Sequence, residues 1–365
     1  MEFDLDDEQR ALRDEARRFL EREAGTSYAR AMMEDERGFT DDAWRKMAEL
    51  GWTALPFSED HGGLGQGFVA LAILLAEMGR VVLPGPFLST VVLAGSAIAE
   101  AGSEAQRKEL LPAISDGELL IALVAPLTEE QLTVEARGEA LYGEATFVAD
   151  GHVAERIVVV ARGAEGPGLY VTSGRDGVDA TPVSLMDQTR KVADLRFDGA
   201  PAERLGDAGW PSVQRVLDRA AVGLSAEMLG GAERVLELSV EYAKQRVQFD
   251  RPIGSFQAVK HRAADMLLEV ESLRSAVYYA AWALERDHPD ASLAASMAKA
   301  YASDAYRKVA ASGIQIHGGI GFTWEADPHL YFKRAKASEV AFGDASWHRE
   351  RMAGILRERY APAAT

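Results

Sequence analysis

Between Tyr242 and Gln257 the chain reads Tyr-Ala-Lys-Gln-Arg-Val-Gln-Phe-Asp-Arg-Pro-Ile-Gly-Ser-Phe-Gln, a stretch rich in residue types that bind ligands. Taken as the end of an amphipathic helix stopping at Pro252, it puts Tyr242, Arg246 and Phe249 on one helix face. A guanidinium donates paired hydrogen bonds to phosphate oxygens, and an aromatic ring packs on a flat heterocycle. The pattern therefore suits an anion joined to a planar ring system. It equally fits a surface helix end carrying an aromatic staple and a solvated arginine. A second segment begins at Gln315 and reads Gln-Ile-His-Gly-Gly-Ile-Gly-Phe-Thr-Trp-Glu. Gly318, Gly319 and Gly321 follow a helical run from Asp304 to Gln315, so the helix must end there, and glycine lets backbone come close to a ligand. In this segment His317 reads as a helix-end cap, and Phe322 and Trp324 as core or interface residues. His261 and Arg262, after the first segment, read as an interface face.

The elements that must hold these residues fall into three regions: 1–117, 118–207 and 208–365. In the first, apolar positions recur at helical spacing, as at Leu12, Ala16, Phe19 and Leu20 and again from Trp44 to Leu50, with Asp7 and Asp41 as N-cap candidates. Gly62, Gly63 and Gly65 precede the apolar helix Phe68 to Met78. No strand leads into them, which favours a tight turn over a phosphate loop. The second region breaks into short apolar runs (119–124, 140–148, 157–160, 169–172 and 192–197) punctuated by Gly, Pro and Asp, the pattern of an antiparallel β barrel or sandwich. From Ser212 helical spacing returns, with Gly230-Gly231 marking a close helix contact. The expected class is α+β: N-terminal helices, a middle antiparallel β domain and a C-terminal helical bundle.

The chain has 365 residues, 47% hydrophobic, enough for a large core and more than one domain. It contains no cysteine, which removes disulfides, thiolate catalysis and thiolate metal sites. A formal net charge of −17 argues against a nucleic-acid partner. The longest apolar runs are too short to cross a bilayer, and no leader pattern opens the chain, so the expected location is the cytoplasm.

The two glycine- and arginine-bearing segments, in this order, resemble the acyl-CoA dehydrogenase family of flavoproteins. Phe39 to Gly65, with its Phe-Thr-Asp-Asp-Ala-Trp start and His-Gly-Gly-Leu-Gly end, and Leu110-Leu111-Pro112 with Gly117 extend the resemblance over nearly the whole chain. It implies FAD as cofactor and an acyl-CoA thioester as substrate, losing an α-proton to a carboxylate and a β-hydride to the flavin. It also implies that Arg246 meets the FAD pyrophosphate, with Gln248, Phe249, Ile253 and Phe256 at the adenine and ribose end. Gln315, Gly318 and Gly319 would line the same cofactor at a subunit interface, and an electron-transfer acceptor would reoxidise it.

The resemblance fails where the chemistry is done. The flavin-facing strand reads Val124-Ala125-Pro126-Leu127-Thr128. In the later strand, Phe147 offers a ring, but Ala149 lacks the family's hydroxyl. The two positions where the family places its glutamate base are Phe342 and Ala220. Ala221 stands where many relatives keep an arginine, whereas Asp218 matches a family aspartate. Three readings follow. A paralogous subunit supplies the base in a hetero-oligomer; or a displaced acid, Asp344 or Glu339, serves a homo-oligomer; or the chain is an inactive binding or assembly subunit.

Overall fold

The computed structural model describes residues 5–360. Helices α1 (Asp7–Glu23), α2 (Thr26–Glu34), α3 (Asp41–Glu49) and α4 (Gly67–Arg80) lead to a π-helix, Leu88–Gly95, and then α5 (Ser96–Ala101) and α6 (Glu104–Ser115). Strands follow: β1 (Ile121–Val124), β2 (Val134–Arg137), β3 (Ala140–Ala149), β4 (Arg156–Gly163), β5 (Gly166–Thr172), β6 (Val178–Val183) and β7 (Val192–Arg204). After them come α7 (Trp210–Gln245), the short strands β8 (Val247–Gln248) and β9 (Arg251–Pro252), α8 (Gln257–Glu285), α9 (Ala291–His317), α10 (Pro328–Val340) and α11 (Ala345–Tyr360). This is the α+β order expected from the sequence. Among the described residues, no helix is long and apolar enough to cross a membrane.

Both early caps lie one residue before the acids expected to make them. The Asp6 carboxylate accepts the Gln9 N–H and the Gln9 side chain accepts the Asp6 N–H, a reciprocal capping box on α1. Thr40 caps α3 by accepting the Ala43 N–H, which leaves Asp41 and Asp42 in the first turn, where the helix dipole favours negative charge.

The chain divides into two compact units. One comprises residues 27–71 and 84–220 and contains the sheet. Its hydrogen-bonded path runs β1-β4-β2-β3-β7-β5, and β4 also pairs with β5, so β4, β2, β3, β7 and β5 form a closed ring. The sheet is mixed, not antiparallel as expected: β1 joins β4 in parallel, because the β2–β3 hairpin lies between them in sequence and returns the chain in the same direction. Strands β2 and β6 escaped the sequence reading because their burial alternates and their apolar residues are few. The ring encloses Val124, Leu141, Ile157, Val159, Leu195 and Phe197. Beside it, Trp44 Nε1 donates to the Gly117 carbonyl (2.8 Å) and Thr53 to the Ser115 carbonyl (2.6 Å). The glycines before α4 close a turn on themselves: Gly63 N–H donates to Ser58 O and Gly65 N–H to Phe57 O, and a Cβ on Gly63 would lie 2.0 Å from Phe57 O. Those amides are not free for phosphate.

The other unit comprises residues 5–26, 72–83 and 221–360. Here α4 crosses α7 backbone to backbone. A Cβ on Gly230 would stand 1.7 Å from Ala76 O, and one on Gly79 would stand 1.9 Å from Glu227 O. The close contact read into Gly230 is therefore real. Around the crossing, Arg17 is bidentate on Glu77 (2.9 and 2.8 Å) and Arg80 on Glu237 (2.9 and 2.6 Å). Arg334, 2% exposed, pairs with Glu227 and donates to the Val82 and Leu83 carbonyls. Burying such charges is tolerable only because each is paired and hydrogen-bonded.

Gly230→Ala is expected to lower stability by roughly 3 kcal/mol or more, since neither backbone can yield. The same change at Gly354, where a Cβ meets nothing within 4 Å in α11, should be neutral or stabilise by up to about 1 kcal/mol. Thermal melts of the two variants followed by circular dichroism check the opposite signs.

Candidate functional site

Helix α7 ends at Gln245, one residue before the arginine expected to sit on its face. Val247↔Pro252 and Gln248↔Arg251 then pair as a hairpin whose two turn residues, Phe249 and Asp250, have φ of 55° and 62°. Two successive left-handed residues make a type I′ turn, which suits the twist of a tight hairpin. Phe249 therefore sits at a hairpin tip and does not share a helix face with Tyr242 and Arg246, contrary to the sequence reading. Spacing alone could not separate the two, because the helical period continues to match through the turn.

The hairpin is held at its base, where Ile253 N–H donates to Arg246 O (2.8 Å). The Phe256 ring meets Phe249 edge-on (6.0 Å), and the Arg251 guanidinium lies over it (4.1 Å). Ile253 and Phe256 are half-buried, while Arg246, Gln248 and Phe249 face solvent, Phe249 at 85% exposure. The Arg246 side chain has no ion-pair or hydrogen-bond partner among the described residues, unlike the arginines around the α4–α7 crossing.

The second segment closes α9. Gly318 adopts φ 65° and ψ −145°, a region essentially reserved for glycine, and stops the helix. Nothing lies within 4 Å of a Cβ built on Gly318 or Gly319, so their backbone is open to an approaching molecule, and Gln315 beside them is exposed. His317 caps the helix as expected: Nδ1 donates to Gly313 O (2.8 Å). Burial holds its pKa below the ordinary imidazole value, so the ring is neutral. That ring stacks on Tyr242 at 4.5 Å with 25° between planes, and this contact joins the two segments. Phe322 and Trp324 are 67% and 60% exposed, so neither is core in this chain. His261 and Arg262 are exposed on α8.

An unpaired guanidinium, exposed aromatic and aliphatic groups, and glycine backbone without side-chain cover match the donors an anionic dinucleotide needs. In charge and in backbone access this donor set is compatible with FAD.

In the loop after α10 the acids already have partners, though Asp344 is exposed. Phe342 has φ 55°, a left-handed conformation costly for a bulky residue. Asp344 is the N-cap of α11: its Oδ1 accepts the Trp347 N–H (2.8 Å) and its carbonyl the His348 N–H (3.1 Å). Glu339 pairs with Arg307 and Lys336. Ala220 is fully buried on α7, and Ala221 and Asp218 are about 1% exposed.

Two residues the sequence reading passed over fix this loop. Lys299, fully buried, donates to Ser303 Oγ (2.9 Å), Glu339 O (3.2 Å) and Gly343 O (2.8 Å). His348 Nε2 donates to Phe342 O (3.0 Å). A lone lysine in the alanine-rich run from Ala294 to Ala302 was the available signal. Desolvation pulls Lys299 down to about 7 against the raising effect of Asp344 and Glu339. Desolvation, with the Lys299 charge adding to it, pulls His348 down to about 4.

Comparison with known proteins identifies the family of this α+β chain. The family model "Acyl-CoA dehydrogenase, N-terminal domain" matches residues 6–118, and "Acyl-CoA dehydrogenase, C-terminal domain" matches residues 207–356. Acyl-CoA dehydrogenase IpdE2 of Mycobacterium tuberculosis is 37% identical over 91% of this chain and 92% of that protein. The ChsE4-ChsE5 complex from Mycobacterium tuberculosis superposes with a TM-score of 0.90 at 28% identity, covering 100% of each chain. Butyryl-CoA dehydrogenase from Megasphaera elsdenii gives 0.88 at 26% identity, over 98% of this chain and 100% of that one. The chain belongs to the acyl-CoA dehydrogenase family and is an FAD-dependent acyl-CoA dehydrogenase.

The pH dependence of stability follows from the two depressed pKa values. His348 binds its proton with an unfolded value of 6.5 and a folded value of about 4, so its contribution is complete above 6.5 and is lost as the pH falls toward 4. Tm should rise between pH 4 and 6.5 by the equivalent of on the order of 2–3 kcal/mol, and His348→Gln should flatten that segment. Lys299 is protonated in both states below about 7. Between there and 10.5 the unfolded chain holds the extra proton, so stability rises further, and Lys299→Met should remove this second rise. Differential scanning calorimetry across pH 4–10 reads both.

Proposed function

We propose that this chain is one subunit of a heteromeric acyl-CoA dehydrogenase, in which a paralogous subunit supplies the catalytic carboxylate. The observation carrying this reading is the loop after α10: the base position is Phe342, and the acids flanking it are already engaged, Asp344 as a helix cap and Glu339 in ion pairs. A capping aspartate would have to abandon the α11 terminus to reach a substrate, which disfavours the homomeric reading. The likeness to the ChsE4-ChsE5 complex, which joins two differently named chains, supports a two-subunit assembly. An inactive assembly subunit would not need a guanidinium left without a partner at a ligand-open site.

In this reading residues 1–117 form the N-terminal helical domain, 118–207 the β domain, and 208–365 the helical domain carrying the FAD and oligomer interface. When bound, FAD would supply the hydride acceptor for the acyl-CoA β-carbon. Arg246 would hold the diphosphate. Gln248, Phe249, Ile253 and Phe256 flank the adenine and ribose end, and the backbone at Gly318 and Gly319 beside Gln315 completes the cradle. Phe342 and the buried Ala220 leave proton abstraction to the partner's acid. An electron-transfer acceptor would take the electrons onward, and the assembly works in the cytoplasm.

Arg246→Ala should lower FAD affinity at least about tenfold, the loss of one charge-assisted contact, read as the ratio of flavin to protein absorbance after gel filtration. Co-expression with a paralogous subunit should raise acyl-CoA oxidation by orders of magnitude over this chain alone. Full turnover by the isolated chain would reject the heteromer. Asp344→Asn, which keeps an N-cap acceptor, should leave turnover of the assembly within about twofold.

A further inference from the structure

A cavity of about 610 Å³ opens at the end of the barrel that carries the β2–β3 and β4–β5 turns. Its walls are apolar where Ala136, Pro201 and Ala202 line it. Barrel mouths bind small molecules when a few polar groups converge on such a wall. Two polar side chains do so here. Tyr170 of β5 stands opposite Arg204 of β7 in the ladder, so both lie on the same face of the sheet.

Neither group is satisfied. Tyr170 is 8% exposed, yet its hydroxyl has no hydrogen-bond partner among the described residues. Arg204 gives Nη1 to Glu165 at 2.6 Å, whereas its Nε–H is buried without an acceptor. Leaving a buried donor idle costs roughly 1–3 kcal/mol, and native folds seldom do so. Space is also kept for both groups. A Cβ on Gly163 would fall 2.2 Å from the Tyr170 hydroxyl, and one on Gly168 would fall 3.1 Å from Arg204 Nε. Glu165 differs from them: its side chain is 80% exposed on the β4–β5 turn, and it supplies the oxygen that Arg204 does have.

The pair lacks an acceptor with two oxygens side by side. A guanidinium bonds a planar carboxylate through parallel N–H groups, and a phenol can donate to the same oxygens. Glu139 and Glu203 also line the cavity, are exposed, and take part in no ion pair among the described residues. Their charge repels a dianion such as phosphate more strongly than a monoanion. A cation would meet Arg204 instead.

We propose that the barrel mouth binds an apolar monocarboxylate, an acyl or aryl acid, whose carboxylate displaces Glu165 from Arg204 and accepts the Tyr170 hydroxyl. The site uses none of the residues assigned to FAD, so it stands or falls independently of the heteromeric reading.

Equilibrium dialysis of radiolabelled hexanoate against the full-length protein tests this, with phosphate and hexylamine as competitors. One saturable site per chain is expected, resistant to both competitors. Arg204→Met, which keeps a buried apolar stem, should weaken hexanoate at least about tenfold. Tyr170→Phe should weaken it roughly three- to tenfold, the range of one hydrogen bond. Glu165→Gln should tighten it about two- to fivefold, because the competing carboxylate is gone. This gain separates a ligand site from a purely structural Arg204–Glu165 bridge, whose loss would lower the melting temperature and leave hexanoate binding unchanged. Glu165 lies on an exposed turn, so its variant decides the matter even if Arg204→Met does not fold. Absence of saturable hexanoate binding, or displacement by phosphate or hexylamine as readily as by unlabelled hexanoate, would overturn the proposal. So would binding that is unchanged in Glu165→Gln and Tyr170→Phe, which would put the acid at another site.

Discussion

Helices α4 and α7 approach until main chain meets main chain, and much of the helical unit follows from that contact. With glycine at 79 and 230, the carbonyls of Glu227 and Ala76 occupy the space where side chains would otherwise stand. No helix pair separated by ordinary side chains could come so near. The carboxylate of Glu227, on the same turn as the carbonyl facing Gly79, receives Arg334 from α10, and Tyr331 from that helix donates to Arg80 O. The crossing therefore also seats α10 and the loop that follows it. Arg17, Arg80 and their glutamates are trapped around the seam, where each charge is acceptable only because the geometry is fixed.

From this seam α7 runs on to Gln245, and the direction of the chain then changes. A type I′ hairpin turns Phe249 into solvent and leaves Arg246 without a carboxylate among the described residues, whereas the arginines around the α4–α7 crossing are paired. Net charge is no guide to such a site. Acidic residues outnumber basic ones overall, but a single guanidinium left open beside side-chain-free backbone makes the local environment anion-seeking. The Tyr242–His317 stack holds the arginine segment against the glycine segment. Burial keeps the histidine neutral, so the stack adds no second cation.

The loop after α10 is held by a dense set of hydrogen bonds around Phe342. Lys299, His348 and Asp344 contribute donors and an acceptor to backbone groups from Glu339 to His348, and between them Phe342 is held left-handed. So many fixed backbone groups explain how a bulky residue persists in that conformation. The nearby acids already have partners, Asp344 Oδ1 at the start of α11 and Glu339 with Arg307 and Lys336.

The order of helices, barrel strands and helices was legible in the sequence because apolar spacing reports burial, and burial is local along each element. Gly230 and the glycines at 318–319 could be read for the same reason: the absence of a side chain is visible without coordinates. Other features were settled only when distant segments met. Phe249 left the helix because the hairpin's twist favoured two left-handed residues, a choice helical periodicity does not encode. The parallel β1–β4 pairing depended on where the intervening hairpin returned the chain. Strands β2 and β6 show too little apolar patterning to be seen without partners. Lys299 is an unremarked lysine in sequence and becomes a loop anchor only because α10 and the loop after it deliver carbonyls to it. Composition and spacing establish what each segment tends to bury. Which donor meets which acceptor depends on three-dimensional closure, because hydrogen bonds require ångström-scale coincidence between residues far apart in the chain.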